Sequence, residues 1–170
     1  MEKMIVNIKL LPHAPAGQLE RAHETDAGFD IRSAADILIK PISCLKTQQE
    51  EIVFSNGDRH QRFIYEKQLI PTGIIIASED LAYFWIVPRS GFSTNYLMGI
   101  RNVPGLIDYD YRGEIFVSAV ACAGPIPITR GERIAQLVPV LQIDVKFDFV
   151  DKITHQTLRG SGGFGSTGIE

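Results

Sequence analysis

Five short segments of this chain carry side chains able to act on a phosphorylated ligand. The densest is GLIDYDYRGEI, residues 105–115, with two aspartates, two tyrosines and an arginine. An aspartate held beside a phosphate can orient and activate a water as general base. It is a weak base, so its contribution comes mainly from positioning. A tyrosine can lay its face against a sugar or a base. The same composition also reads as a polar turn between strands. VPRSG, residues 87–91, puts a cation, a hydroxyl and a glycine behind a strand and at the head of a short helix. Backbone N–H groups there, with Arg89 beside them, suit an anion; a solvated arginine at a turn is the alternative. DAGFDIRSA, residues 26–34, taken alone is a turn. GERIAQLV, residues 131–138, is a turn leading into a core strand, with Gln136 its one notable side chain. The tail LRGSGGFGSTGIE, residues 158–170, has too much glycine for a stable helix or strand. It reads either as a loose terminus or as a wrap of backbone N–H groups, a cation and a ring around a nucleotide.

The elements that must position these segments are strands. Apolar and β-branched runs at 4–11, 37–39, 73–77, 82–87, 114–121, 134–140 and 145–150 are mostly bounded by Gly, Pro or Asp. Frequent short strands with turns between them indicate an all-β sandwich, barrel or jelly roll. Helical periodicity is confined to a turn or two at 90–95, with Ser90 as a candidate cap. Within residues 42–66, an Asn56-Gly57 pair separates two β-prone runs and predicts a projecting hairpin. No internal repeat is present.

A length of 170 residues bounds the chain to one domain with a sizeable core, and 45% hydrophobic with 22% charged residues is a globular composition. A net charge of −3 argues against stable binding of long nucleic acid. It allows a small phosphorylated ligand held by local cations. Cys44 and Cys122 have no CxxC partner; one disulfide is the alternative, and two buried thiols in a reducing compartment are expected. His13, His23, His60 and His155 lack metal-ligand spacing. The N-terminus has no signal-peptide core and no apolar run reaches a membrane span, so an intracellular, cytoplasmic protein without membrane contact is expected.

Taken together and in order, AGFDI, PRSG, GLIDYDYRGEI, GERIAQLV and RGSGGFGSTG resemble the five motifs of the trimeric dUTP pyrophosphatase (dUTPase) family, from residue 26 to residue 168. The resemblance implies a β jelly roll over residues 1–150 with an insertion at about 42–66. An arm at 151–170 would close over a neighbouring subunit's site in a homotrimer. It implies hydrolysis of dUTP to dUMP and pyrophosphate, with Asp108 holding the water that attacks the α-phosphorus. Tyr111 would pack on the deoxyribose. Asn102, Gly105, Leu106, Ile107 and Phe116 would read the uracil. Arg89, Ser90 and Gly91 would bind phosphates, with Gln136 assisting. From the arm, Arg159 would reach the γ-phosphate, Phe164 would stack on uracil, and Gly165, Ser166 and Thr167 would add phosphate contacts. Mg²⁺ would ride on the triphosphate, with Asp30 the carboxylate nearest its outer shell.

The chain departs from the family pattern in the longer stretch at 42–66, which reads as an ornament, an extra trimer contact or a docking surface for another protein. Two other functions compete: a dCTP deaminase or bifunctional deaminase-dUTPase on the same fold, and a dUTPase scaffold serving mainly as a regulatory binding module.

Overall fold

A computed structural model describes residues 4–79, 81–154 and 157. Its architecture is all-β with one short α-helix. Thirteen strands follow one another: β1 (Val6–Leu10), β2 (Phe29–Arg32), β3 (Ile37–Ile39), β4 (Thr47–Val53), β5 (Arg59–Tyr65), β6 (Leu69–Pro71), β7 (Ile74–Ser78), β8 (Ala82–Pro88), β9 (Met98–Ile100), β10 (Gly105–Ile107), β11 (Phe116–Ala121), β12 (Ile126–Ile128) and β13 (Arg133–Leu141). The helix α1 (Ser90–Tyr96) lies between β8 and β9, and a single 3₁₀ turn spans Ile42–Cys44.

The strands form small antiparallel sheets. One has four strands in the order β10-β8-β13-β2, one has three in the order β6-β11-β9, and β1-β7, β12-β3 and β4-β5 are pairs. Alternation explains the shared core. In β7, Ile74, Ile76 and Ser78 point inward; in β8, Ala82, Phe84 and Ile86; in β11, Val117, Ala119 and Ala121. Burying an Ile or Phe side chain contributes about 1.5–3 kcal/mol, and the cluster built by these strands also takes in Ile31, Ile39, Ile70, Met98 and Ile134.

β13 breaks the alternation. Its register against β2 shifts between Arg133 and Ala135, and Ile134 and Ala135 are both fully buried. A bulge of this kind re-aims the flanking side chains. β2 covers β13 only as far as Leu137, so Pro139 sits where one edge is open and a missing N–H costs little.

The hairpin projects as expected. β4 and β5 pair from Thr47↔Tyr65 to Val53↔Arg59. Phe54 N donates to Asp58 O, and Gly57, at φ 90°, donates to Phe54 O. The result is a three-residue loop that needs a glycine in the left-handed region.

Four readings of the sequence are corrected. DAGFDIRSA is not only a turn, because Phe29–Arg32 is the edge strand β2. The start of GLIDYDYRGEI is itself strand β10. Both cysteines are exposed rather than buried. Residues 145–150 form no strand, and Phe147 and Phe149 are largely exposed.

Candidate active site

Strand β8 is the spine of the site. β10 pairs along its middle, with Gly105↔Ile86, Leu106↔Trp85 and Ile107↔Phe84. β13 pairs along its whole length, with Gln136↔Val87 near the far end. The polypeptide then passes Pro88 and enters α1. The candidate residues consequently divide into two groups that adjoin at Ile86 and Val87, with Asp108 and Arg89 toward opposite ends of the strand.

The first group surrounds Asp108. A cavity of about 40 Å³ is walled by Ile86, Ile100, Asn102, Gly105, Leu106, Ile107, Phe116 and Ser118. It shares Leu106, Ile107 and Phe116 with a second cavity of about 200 Å³ that reaches Asp108, Tyr111 and Glu114. Six expected ligands, Asn102, Gly105, Leu106, Ile107, Tyr111 and Phe116, thus line one continuous wall, with exposed Asp108 at its open end. On the outer side, Asp108 borders a third cavity with Tyr83, Trp85, Pro104, Leu106, Tyr109 and Gln142.

The loop after Asp108 is held by its own backbone. Tyr111 N donates to Asp108 O at 3.1 Å. The Tyr111 hydroxyl donates to Glu114 O at 2.8 Å, which folds the ring back over Gly113. A Cβ on Gly113 would collide with that ring. Arg112 donates to Tyr109 O and Tyr111 O and stands 5.8 Å over the Tyr109 ring. The base of the loop is fixed by Glu114. Its Oε1 accepts from Gly73 N at 2.8 Å and lies 2.8 Å from His13 Nε2.

The second group surrounds Asp30. This carboxylate is 4% exposed. Its Oδ1 accepts from Arg89 Nε at 2.8 Å and its Oδ2 from Arg133 Nη1 at 3.2 Å. Asp30 lies opposite Gln136 in the β2–β13 register. Gly28 sits so close that a Cβ there would be 3.2 Å from Gln136 Cβ. Arg89 is the residue that opens α1, with extended backbone and no side-chain cap, so Ser90 is the first helical residue rather than the cap. Ser90 and Gly91 are exposed beside it. The group offers guanidinium and hydroxyl donors suited to phosphate oxygens.

Burial and double pairing make Asp30 an anchor for two guanidinium groups, which counts against its expected place in a metal's water shell. Among the described residues no three His, Cys, Asp or Glu side chains cluster to hold a metal ion. Arg159, Phe164, Gly165, Ser166 and Thr167 lie outside the described residues.

Sequence reasoning missed Arg133 and Glu114. Arg133 precedes Gln136 by three, a spacing that simple alternation puts on opposite faces. The bulge lets it reach Asp30. Glu114 could have been found as the acidic residue closing the 105–115 segment.

Asp108 and Arg89 are far apart within one chain. Ile107 faces Phe84, and antiparallel pairing sends Asp108 onward, away from Arg89. From Phe84 to Arg89 is roughly 17 Å at strand rise.

A family model described as dUTPase matches residues 58–168. Proteins named deoxyuridine 5'-triphosphate nucleotidohydrolase are among the similar sequences. That of Corynebacterium efficiens is 38% identical over 96% of this chain and 79% of its own length. That of Rickettsia felis is 36% identical over 96% of this chain and 97% of its own. Among solved structures, a Staphylococcus bacteriophage 80alpha dUTPase with dUpNHpp superposes at a TM-score of 0.74. It is 25% identical and covers 97% of this chain and 99% of that one. A dUTPase from phage phi11 of S. aureus, described with a structural Mg(II) ion, shares the fold at a TM-score of 0.67 and 22% identity, over 89% of this chain and 99% of that one.

Proposed function

The chain belongs to the dUTPase family and hydrolyses dUTP, and on that premise we propose how its residues divide the work. The observation that supports this reading is the shared lining of two adjoining recesses, from Asn102 through Phe116 to Asp108. Asn102 and the backbone of β10 read the uracil edge. Tyr111, folded over Gly113, packs on the deoxyribose and leaves no room for a 2′-hydroxyl. Asp108 orients a water and accepts its proton as the water oxygen bonds to the α-phosphorus. The bond from that phosphorus to the bridging oxygen breaks, and pyrophosphate leaves with the electron pair. Arg89, Ser90 and Gly91 hold phosphates, with Gln136 beside the water or α-phosphate.

Mg²⁺ enters with the triphosphate and neutralises part of its charge.

The site is shared between copies in a homotrimer. Two observations support this. Asp108 and Arg89 are too far apart in one chain to serve one α-phosphate and its neighbours. The sheet face between them exposes apolar side chains, with Leu106 at 52% and Trp85 at 38%. The 151–170 arm brings Arg159, Phe164, Gly165, Ser166 and Thr167 over a neighbour's site as a lid. Truncation before Arg159 tests this: turnover is lost while the assembly stays intact, and dissociation to monomers refutes it.

The deciding experiment is pyrophosphate release from dUTP, dTTP, dCTP and UTP side by side with Mg²⁺. Fast release from dUTP alone is expected. Ammonia from dCTP would instead indicate a deaminase.

A second role rests on the hairpin. Both its strands are almost wholly exposed, and Val53, Phe54, Phe63, Ile64 and Tyr65 present apolar surface. Phage 80alpha relatives are described as controlling transfer of virulence genes. The 42–66 insertion is a docking surface for a protein partner of this enzyme, and deleting it removes that interaction. A partner still bound by the deletion variant refutes this reading.

A further inference from the structure

The root of the hairpin is tied to both walls of the base pocket. At the root, Glu66 N donates to Lys46 O at 2.8 Å, and Lys46 N donates to a Glu66 carboxylate oxygen at 3.3 Å. Lys40 Nζ reaches the same carboxylate at 3.2 Å. Two residues on, buried Gln68 accepts from Lys40 N at 2.6 Å and donates to Lys40 O at 2.9 Å. The insertion is therefore clamped to the body where β5 ends.

From that clamp one connection runs along the backbone. Gln68 O accepts from Ala119 N at 2.9 Å, and β6 continues directly against β11 with Leu69↔Ser118 and Pro71↔Phe116. Ser118 and Phe116 form one wall of the base pocket. A second connection crosses space. Arg101 Nη1 donates to Glu66 O at 2.9 Å, while Arg101 N donates to Ser118 O at 2.8 Å. Arg101 stands between Ile100 and Asn102, both of which line the pocket. Its side chain leaves the pocket, is exposed, and ends on the insertion.

We propose that Arg101 is a positioning residue for nucleobase binding, holding the Asn102 loop at reading distance by pulling against the Glu66 carbonyl at the root of the insertion. The insertion then has a catalytic consequence apart from any partner it docks: its root sets the width of the base pocket. The proposal rests on the assignment of that pocket to uracil. Its effect falls on ground-state recognition of the base, so it shows in KM rather than in the chemical step.

The test is steady-state hydrolysis of dUTP and dTTP by Arg101→Met and Arg101→Lys. Loss of one charge-assisted bond raises the KM of Arg101→Met for dUTP about 5–15-fold. Its kcat is expected to stay close to wild type, and discrimination against dTTP to narrow. Arg101→Lys keeps a donor and recovers most of the loss. A KM unchanged from wild type in Arg101→Met overturns the proposal. Absence of dUTP hydrolysis in the wild type is a different failure, that of the dUTPase reading itself. Arg101 is exposed, so a melting temperature near wild type is expected. If Arg101→Met unfolds, Arg101→Gln carries the same test, because its shorter neutral side chain lacks the guanidinium that reaches the Glu66 carbonyl, and an unchanged KM there is equally decisive.

Discussion

Asp30 holds Arg89 through a 2.8 Å bond between Oδ1 and Nε, and that pair fixes the arginine that opens α1 to the edge of the four-stranded sheet. Asp30 is buried, while the Arg89 and Arg133 side chains it joins are 24% and 43% exposed. Asp30→Ala therefore leaves two adjacent guanidinium groups that can partly hydrate. A stability loss of about 1–3 kcal/mol is expected, below the cost of breaking a fully buried pair. For a chain of this length that lowers Tm by roughly 3–10 °C. Asp30→Asn keeps an acceptor and falls less. Thermal melts at neutral pH check both, and an unchanged melt for Asp30→Ala would show that the pair does not anchor Arg89.

On the proposed mechanism, Asp108→Asn keeps the side-chain shape and removes the base. Its kcat is expected to fall about 10²–10⁴-fold with substrate binding retained. Stopped-time pyrophosphate assays with a parallel dUTP-analogue titration separate the two quantities. Near-normal turnover removes Asp108 from the catalytic role.

Gly113 lies under the Tyr111 ring, and a methyl group there would displace it. Gly113→Ala is expected to reduce the preference for dUTP over UTP by about tenfold or more, because the displaced ring no longer crowds a 2′-hydroxyl. Side-by-side kcat/KM values for the two nucleotides give the answer. An unaltered ratio would assign sugar selection to another residue.

Much of this was legible from residue order. The four motif segments within the described residues fell on or beside strands and the helix, and the Asn56-Gly57 signal located the hairpin because loop chemistry is local. The two halves of the site were not separable from sequence, because their distance is fixed by which strand pairs with which along β8. Arg133 was invisible because the bulge after it changes its facing. The expected strand at 145–150 shows the limit from the other side. Its apolar residues alternate as a strand's would, yet a strand needs a second edge to pair with. Among the described residues, this segment pairs with none.

Glu66 supplies a pH-dependent contribution at the hairpin root. The side-chain hydrogen bond from Lys40, followed by the backbone bond from Lys46, holds its carboxyl below the ordinary 4.5. A carboxyl depressed in the folded state stabilises above its unfolded value and loses that contribution as pH falls through the folded value. Glu66→Gln is therefore expected to melt below wild type at pH 7, with the gap closing as pH drops below 4.5. Melts across pH 3–7 check it. A gap independent of pH would assign the effect to packing.

The separation of Asp108 from Arg89 makes the strongest demand on assembly. On the proposed division of work Asp108→Asn lacks the base and Arg89→Ala lacks a phosphate cation, so each alone is expected to be nearly inactive. If one site draws Asp108 and Arg89 from different copies, unfolding the two variants together and refolding them at equal ratio rebuilds sites with both residues native. Random assortment gives about one site in four. Activity should therefore return to about a quarter of wild type when subunits mix, and the recovered fraction should follow the mixing ratio. If one chain supplied both residues, every site would carry one lesion, and the refolded mixture would be as inactive as its parents.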